Sequence, residues 1–311
     1  MKREYGAQSE YKRLVKVLMH IPGEEIELVN GENRDEYLFR DVPDLERIRE
    51  EHLKFVEILR GEGVEVILIE ELLKNTELID IIKLCPNMMF TRDTGTITNI
   101  GAIIGRMAKP CRRPEPYIVM EALKRLNIPV ALKIEAPATF EGGDAVWLDE
   151  RTLMIGYETR TSEDAVDKIA KLLIEKNCTE KVIGVPLPKY KVHLDGTIMI
   201  LSENLAVARV EALRTYPSKI YNGNEVKPIN LIEWLRRRGY EIIPVTSRED
   251  RLFGANLVGI GGGKVISYSW NKRIMKELEK RGFDVIGVDG HEIIKAGGGL
   301  HCMILPLLRE Q

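Results

Sequence analysis

A chain of 311 residues with 44% hydrophobic and 30% charged residues can bury a sizeable core, and its formal charge of -2 gives no electrostatic reason to bind nucleic acid or an anionic membrane. No apolar stretch approaches the ~20 residues of a membrane span, and Met1-Lys2-Arg3-Glu4-Tyr5 lacks a signal peptide's apolar core, so a soluble cytoplasmic protein is expected. Four cysteines without paired spacing argue against a disulfide framework or a zinc site, and only two glutamines, Gln8 and Gln311, beside so much charge is the balance expected of a heat-adapted protein.

In chain order, hydrophobic periodicity predicts a strand over 15–20, a helix over 45–60 and a strand over 64–69. Strands over 96–98 and 102–104 follow, then a helix near 114–126 and a strand over 130–132. The third group is the clearest. Strands over 145–148 and 152–156 flank the turn Asp149-Glu150-Arg151, and a strand over 182–185 closes the group. Between them a helix over 162–176 is apolar at Ala165, Val166, Ile169, Leu172 and Leu173, with Ser162 as N-cap and Glu163 and Asp164 in its first turn. The fourth group has strands over 198–201 and 205–208, a helix near 231–238 and a strand over 241–245. The fifth has strands over 257–260 and 265–268, a helix over 271–281 and a strand over 285–288. The first group lacks a strand that 303–308 can supply from the C-terminus.

The recurring order of strand, turn, strand, helix, strand gives five ββαβ modules, at approximately 1–85, 86–134, 135–188, 189–250 and 251–311. The expected fold is therefore α/β: one domain, a five-bladed α/β propeller with pseudo-fivefold symmetry. An open α/β sheet fits less well, because hairpin turns of three to four residues call for antiparallel pairs inside each module. Segments 30–42 and 215–228 break the repeat, and each is expected to be either a solvated loop or an active-site lid.

Just ahead of one strand in each module stands a reactive polar residue. These are Asp93 in Phe90-Thr91-Arg92-Asp93, Glu141 and Asp144 in Phe140-Glu141-Gly142-Gly143-Asp144, His193 and Asp195 in His193-Leu194-Asp195, Asn256, and Cys302 in Gly297-Gly298-Gly299-Leu300-His301-Cys302. If the strands are equivalent, all of them emerge at one end of the molecule around one axis. Cys302 is either a structural cysteine or a nucleophile whose pKa of ~8.5 is lowered by His301 or His193 as positive neighbours. Cys85, Cys111 and Cys178 have no comparable setting. On an extended backbone His193 and Asp195 face the same way, an imidazole beside a carboxylate suited to proton transfer. The Gly142-Gly143 bend would swing Glu141 and Asp144 toward the axis. Magnesium or calcium would not favour the thiol, and zinc would want more His or Cys. Several carboxylates suit a planar guanidinium better, since it pairs with them bidentately.

Taken together, these motifs resemble the guanidino-group-modifying (amidinotransferase, or pentein) superfamily over nearly the whole chain, and most closely the arginine deiminases. The opening Val17-Leu18-Met19-His20-Ile21-Pro22-Gly23-Glu24-Glu25, Asp35-Glu36-Tyr37-Leu38-Phe39 and Arg49-Glu50-Glu51-His52 add to the resemblance. It implies Cys302 as nucleophile on the guanidinium carbon, His193 as general acid and base, and Asp93, Glu141 and Asp195 as holders of the guanidinium nitrogens. Asn87, Phe90, Arg112, Arg160, Asp144 and Asn256 would complete the substrate site, with Asn87, Arg112 and Arg160 at the amino-acid end. The implied reaction is hydrolysis of L-arginine to L-citrulline and ammonia through a covalent Cys302 thiouronium, with no metal or organic cofactor. A small guanidino molecule is then the expected partner, and a homo-oligomer is compatible with it.

Two features depart from the arginine deiminases. Their helical insertion after the first module is absent between Glu70-Glu71-Leu72-Leu73 and Phe90, which gives a size closer to dimethylarginine hydrolases. Lys295-Ala296 stands where they tend to have an arginine, and Gly297-Gly298-Gly299-Leu300-His301-Cys302 also resembles arginine amidinotransferases. Transfer of the amidino group to an amine acceptor, with release of ornithine, is the alternative reading. A non-catalytic binding propeller, as in a ribosome-binding factor, is the alternative of another class.

Overall fold

The computed structural model describes residues 4–223 and 225–310. Among them the strands form five separate sheets. In the first, Leu14–Met19 runs antiparallel to the C-terminal Leu305–Arg309 and parallel to Glu65–Leu68. The second is built from Gly95–Thr98, Gly101–Ile104 and Val130–Lys133. The third begins with Ala145–Asp149, Thr152–Tyr157 and Lys181–Pro186. Ile198–Ser202, Leu205–Ala208 and Glu241–Pro244 make the fourth, and Val258–Gly261, Lys264–Tyr268 and Asp284–Val288 the fifth. Every sheet thus has an antiparallel pair and a parallel third strand, which the helices Leu45–Gly61, Glu115–Arg125, Glu163–Glu175, Leu231–Arg237 and Lys272–Glu279 precede in turn. The C-terminal strand fills the gap left in the first group.

The apolar pattern explains why these sheets pack face to face in sequence order. Side chains alternate faces along a strand. In Ile198–Ser202, Ile198 and Ile200 enter one apolar cluster while Met199 and Leu201 enter the next. Ala145 and Trp147 part from Val146 and Leu148 in the same way, and Val17 and Met19 from Leu18. Burial on both faces is what makes the strands read as continuous apolar runs. One cluster joins each sheet to the following one, and a fifth joins the last sheet to the first.

The two irregular segments behave differently. Segment 215–228 is not a lid. Ser218–Asn222 and Glu225–Ile229 form a hairpin that extends the third sheet, with Lys219 opposite Gly184. Asn222 pairs with Glu225, and the chain turns at Gly223, which takes the positive φ of 60° that such turns require. Segment 30–42 stays a run of turns, and the N–H groups of Arg40 and Asp41 donate to Lys295 O at 2.7 and 3.1 Å. Where an insertion was expected to be missing, the short helices Ile69–Leu73 and Leu78–Ile82 make the connection. Among the described residues no helix is long and apolar enough to cross a membrane.

Ser162 caps the Glu163–Glu175 helix as its sequence position predicts. Its Oγ accepts from Ala165 N at 3.3 Å and from Thr139 N at 3.1 Å, tying the helix to the approach to Glu141. Ser162→Ala is expected to cost ~1–2 kcal/mol, and Leu173→Ala, in the buried face of the same helix, ~2–5 kcal/mol. Urea midpoints should fall in that order with the slope of the transition unchanged.

Candidate active site

The polar residues ahead of the five strands do meet at one end. Asp93 lies in the 3-10 turn Thr91–Thr94, Glu141 caps the turn Gly142–Asp144, and Cys302 sits within His301–Met303. His193 and Asp195 precede Ile198, and Asn256 precedes Val258. Asn87, Phe90, Asp93, Arg112, Arg160, His193, Asp195, Asn256 and Cys302 all line one cavity of about 420 Å³.

His193 is held between two carboxylates. Its Nε2 lies 2.7 Å from Glu141 Oε2 and its Nδ1 3.4 Å from Asp93 Oδ1. Burial acts to lower its pKa, but Asp93, the Glu141 hydrogen bond and Asp144 outweigh it and raise the ring to about 9. Burial acts to raise Glu141, yet His193, Arg160 and Arg112 hold it down at about 2. Gly143 makes this packing possible, since a Cβ there would fall 2.7 Å from both Asp93 Oδ1 and His193 Nδ1.

The thiol has a different environment. Cys302 Sγ accepts from Asn256 Nδ2 at 3.3 Å and Gly299 N at 3.5 Å, and it donates toward Asp195 Oδ2 at 3.6 Å. Burial first, then the charges of Asp195 and Asp93, push the thiol well above its ordinary range, against the two donors. The expected lowering by a positive neighbour is thus overturned. The ring of His193 is committed to Asp93 and Glu141, and that of His301 to Asp195 and Glu10.

His193 and Asp195 do not form one imidazole–carboxylate unit either. The chain turns between them, where Leu194 is buried in the core and its N–H donates to Asp144 Oδ1 at 3.0 Å. This also corrects the expectation for Asp144. Its second oxygen accepts from Thr161 Oγ1 at 2.7 Å, so it holds the His193–Asp195 turn and does not line the cavity. Burial is the main cause that raises its carboxyl to about 7. Asn256 is a clamp: Oδ1 accepts from His301 N at 2.9 Å while Nδ2 faces the thiol.

The two expected carboxylate readers differ in availability. Arg112 places Nε and Nη2 on Glu115 and Nη1 on Asp93 Oδ2 at 2.6 Å. Arg160 spends Nη1 on Glu141, 3.2 Å away, and no partner among the described residues takes its Nε or Nη2. Asn87 donates to Tyr37 O at 3.0 Å, and its buried Oδ1 has no partner among them. Ligand atoms of Asp93, Glu141 and His193 lie within 4.8 Å of one another, with Arg112 on Asp93 Oδ2 and Arg160 on Glu141 Oε2, while Asp93 Oδ1 has no hydrogen-bond partner among the described residues.

Sequence reasoning missed Glu115, Glu10 and the basic groups Arg40, Lys191, Arg209 and Arg251 that line the cavity with Asp250. Glu115 was findable, three residues after Arg112 at the start of a helix. Glu10 carries no such signal, being distant in sequence from its partner His301.

A family model described as arginine deiminase matches residues 35–80 and 79–309. Similar proteins include the uncharacterized protein YkgA of Bacillus subtilis, 27% identical over 98% of this chain and 95% of its own length. An arginine deiminase of Listeria welshimeri is 25% identical over the whole of both chains, in 406 aligned positions against 311 residues here. Among solved structures, a dimethylarginine dimethylaminohydrolase variant from Pseudomonas aeruginosa complexed with citrulline superposes with a TM-score of 0.72 at 22% identity, covering 94% of this chain and 99% of that one. The product-bound N-terminal domain of ArgZ, an arginine dihydrolase from cyanobacteria, gives 0.74 at 22% identity, with 95% and 98% covered. Since the matched stretch takes in the turns bearing Asp93, Glu141, His193, Asp195, Asn256 and Cys302 alike, the chain belongs to the arginine deiminase family.

Proposed function

We propose that the protein hydrolyses a guanidino group through Cys302, with L-arginine as substrate and L-citrulline and ammonia as products. The polarity of the cavity carries this reading. The thiol, Asp93, Asp195 and His193 stand together, while Arg40, Arg112, Arg160 and Arg251 line the same space. A molecule cationic at one end and anionic at the other fits such a site. In this reading the five sheets, joined by five clusters, are the blades of a single α/β propeller. Its modules run at approximately 1–85, 86–134, 135–188, 189–250 and 251–311, with the site on its axis.

Asp93 and Asp195 hold the guanidinium nitrogens against the sulfur. The substrate's own charge then offsets the carboxylates that raise the thiol, so ionisation accompanies binding and the thiol proton leaves to solvent. Sγ attacks the guanidinium carbon and forms the C–S bond. His193, protonated at neutral pH because its pKa is about 9, gives its proton to the departing nitrogen. The C–N bond breaks, ammonia leaves and a thiouronium remains on Cys302. Water then gives a proton to His193 and attacks the same carbon, and as the C–S bond breaks the remaining proton on the oxygen passes to the departing sulfur, so citrulline is released and the thiol restored. Glu141 orients the ring throughout. At the other end Asn87 Oδ1 accepts from the ammonium and the unengaged side of Arg160 receives the carboxylate. Because that end stays anchored, ammonia is the group that departs.

Three outcomes follow from this assignment. Incubation with L-arginine alone should yield citrulline and ammonia in equal amounts, and Cys302→Ser should abolish it, since a hydroxyl is a far weaker nucleophile. Ornithine appearing only when an acceptor amine is supplied would move the assignment to amidino transfer. Arg160→Ala should raise KM for arginine roughly ten- to a hundredfold, about 1.5–3 kcal/mol, and barely change KM for agmatine, which has no carboxylate. Equal use of arginine and agmatine by the wild type would remove the carboxylate reading. The third outcome concerns pH. The protonated ring is the acid and the thiol has already ionised in the complex, so kcat at saturating arginine should fall as pH rises and His193, at about 9 in the free site, loses its proton.

A further inference from the structure

Behind the thiol and Asp195 runs a line of buried groups, His301, Glu10 and Arg92, that this chemistry does not use. Asp195 Oδ2, the oxygen facing Cys302 Sγ, also lies 2.9 Å from His301 Nδ1. On the far side of that ring, His301 Nε2 is 3.2 Å from Glu10 Oε2. Glu10 Oε1 accepts from Arg92 Nη2 at 3.2 Å and from Trp147 N at 3.0 Å. Arg92 is fixed in turn by Gly142 O and Ala145 O, and the buried Arg309 adds positive charge near Glu10. Asp195, His301, Glu10 and Arg92 are each 3% exposed or less, so no solvent relieves a mismatched contact.

We infer that His301 and Glu10 are positioning residues for the nucleophile. Glu10 keeps a second proton on His301, and the resulting imidazolium fixes Asp195 Oδ2 beside the sulfur and governs how readily the thiol ionises. The inference rests on reading Cys302 as the nucleophile.

The geometry leaves little else for the ring to be. Both of its nitrogens face carboxylate oxygens. A neutral imidazole has one N–H, so its bare nitrogen would meet an oxygen lone pair at hydrogen-bond distance, a costly arrangement without water. A hydrogen on each nitrogen satisfies both contacts. The charges from Asp195 to Arg92 then alternate along the line, each ion next to one of opposite sign. His301 reaches the sulfur by a second route too: its N–H holds Asn256 Oδ1, and Asn256 Nδ2 faces Sγ. One residue therefore sets the acceptor and the donor that flank the thiol.

Two measurements test this on the intact protein without a substrate. In 15N-histidine-labelled wild type, with the His301 signal identified by its loss in His301→Asn, both ring nitrogens should resonate as protonated at pH 7. One bare nitrogen there overturns the inference. The second measurement is the pH dependence of Cys302 alkylation by iodoacetamide, followed by mass spectrometry of its peptide in wild type and in the near-isosteric Glu10→Gln. If Glu10 holds the proton, its replacement also discharges His301, which is nearer the sulfur than the anion removed. The alkylation profile should then move to higher pH by about one unit, and kcat on arginine should fall about tenfold with KM little changed. A profile that stays in place or moves to lower pH overturns the inference, even if the variant melts earlier, since that is all a structural role predicts. Should the wild type turn over no guanidino compound, the functional reading fails, while the ring signals and the alkylation profile still decide this one.

Discussion

Five carboxylates packed at the ends of the sheets, each 3% exposed or less, are matched by buried cations, while a sixth, Asp144, is held by Thr161 Oγ1 and Leu194 N, and the rest of the site depends on that matching. An unpaired buried carboxylate costs several kcal/mol. Asp93 and Glu115 share Arg112, Glu141 takes His193 and Arg160, and Asp195 and Glu10 share His301, with Arg92 closing the line. The pairs His193–Glu141, His301–Asp195, His301–Glu10 and Arg92–Glu10 join stretches distant in sequence, so the packing of the sheets and the assembly of the site are coupled. Each ion also limits the freedom of its neighbours, which is how a fixed electrostatic environment is prepared before any ligand arrives. Arg112 illustrates the consequence: most of its donors belong to Glu115 and Asp93 before any substrate could claim them.

The same matching gives the thiol and the imidazole opposite settings. His193 stands where two carboxylates favour its charged form, and Cys302 stands where carboxylates disfavour a thiolate. A site built this way does not rest as a thiolate–imidazolium pair. A low-pKa, accessible thiolate is prone to oxidation, whereas a buried thiol beside Asp195 is protected by its neighbours. The cation that would activate it has to be delivered, and a neutral molecule of similar shape delivers none. In the proposed reaction, selection for a charged guanidinium is therefore written into the protonation of the sulfur as well as into the hydrogen bonds around it.

How far this was legible in the sequence follows from the range of the forces involved. Strand and helix positions were legible because burial on both faces imposes long apolar runs, and because local chemistry such as the Ser162 cap marks the helix start. The turns bearing Asp93, Glu141, His193 and Cys302 were legible because they recur at one place in a repeated unit. Pairing was not. His193 and Asp195 looked like partners under a period of two, but that period holds only for extended chain, and the bend at Leu194 sends them to different partners. Glu10 and His301 meet only after the N-terminal segment has been laid across the sheets. The hairpin Ser218–Asn222 and Glu225–Ile229 was hidden for a different reason: its outer strand is mostly exposed and carries no apolar run.

The departure at Lys295-Ala296 can be understood in the same terms. Lys295 does not line the cavity, whereas Ala296, Gly297 and Gly298 do. Its Nζ pairs with Glu292 at 2.8 Å, and Glu292 Oε2 accepts from Asp44 N at 2.8 Å, at the cap of the Leu45–Gly61 helix. Glu51, one helical stretch further on, accepts from the N–H groups of Glu292 and Ile293 at 2.9 and 3.0 Å. Lys295 O holds Arg40 and Asp41 from the other direction. The loop leading to Cys302 is thus clamped between the first helix and segment 30–42, and the lysine belongs to that clamp. A guanidinium still reaches the cavity at this edge, but it is that of Arg40, lying 4.4 Å above the Phe253 ring with Nη1 on Arg251 O at 2.8 Å. The basic wall that a cationic residue before the glycine triplet would have supplied from the C-terminal loop comes instead from the segment clamped onto it, so moving that segment would move the wall and the backbone behind the thiol together.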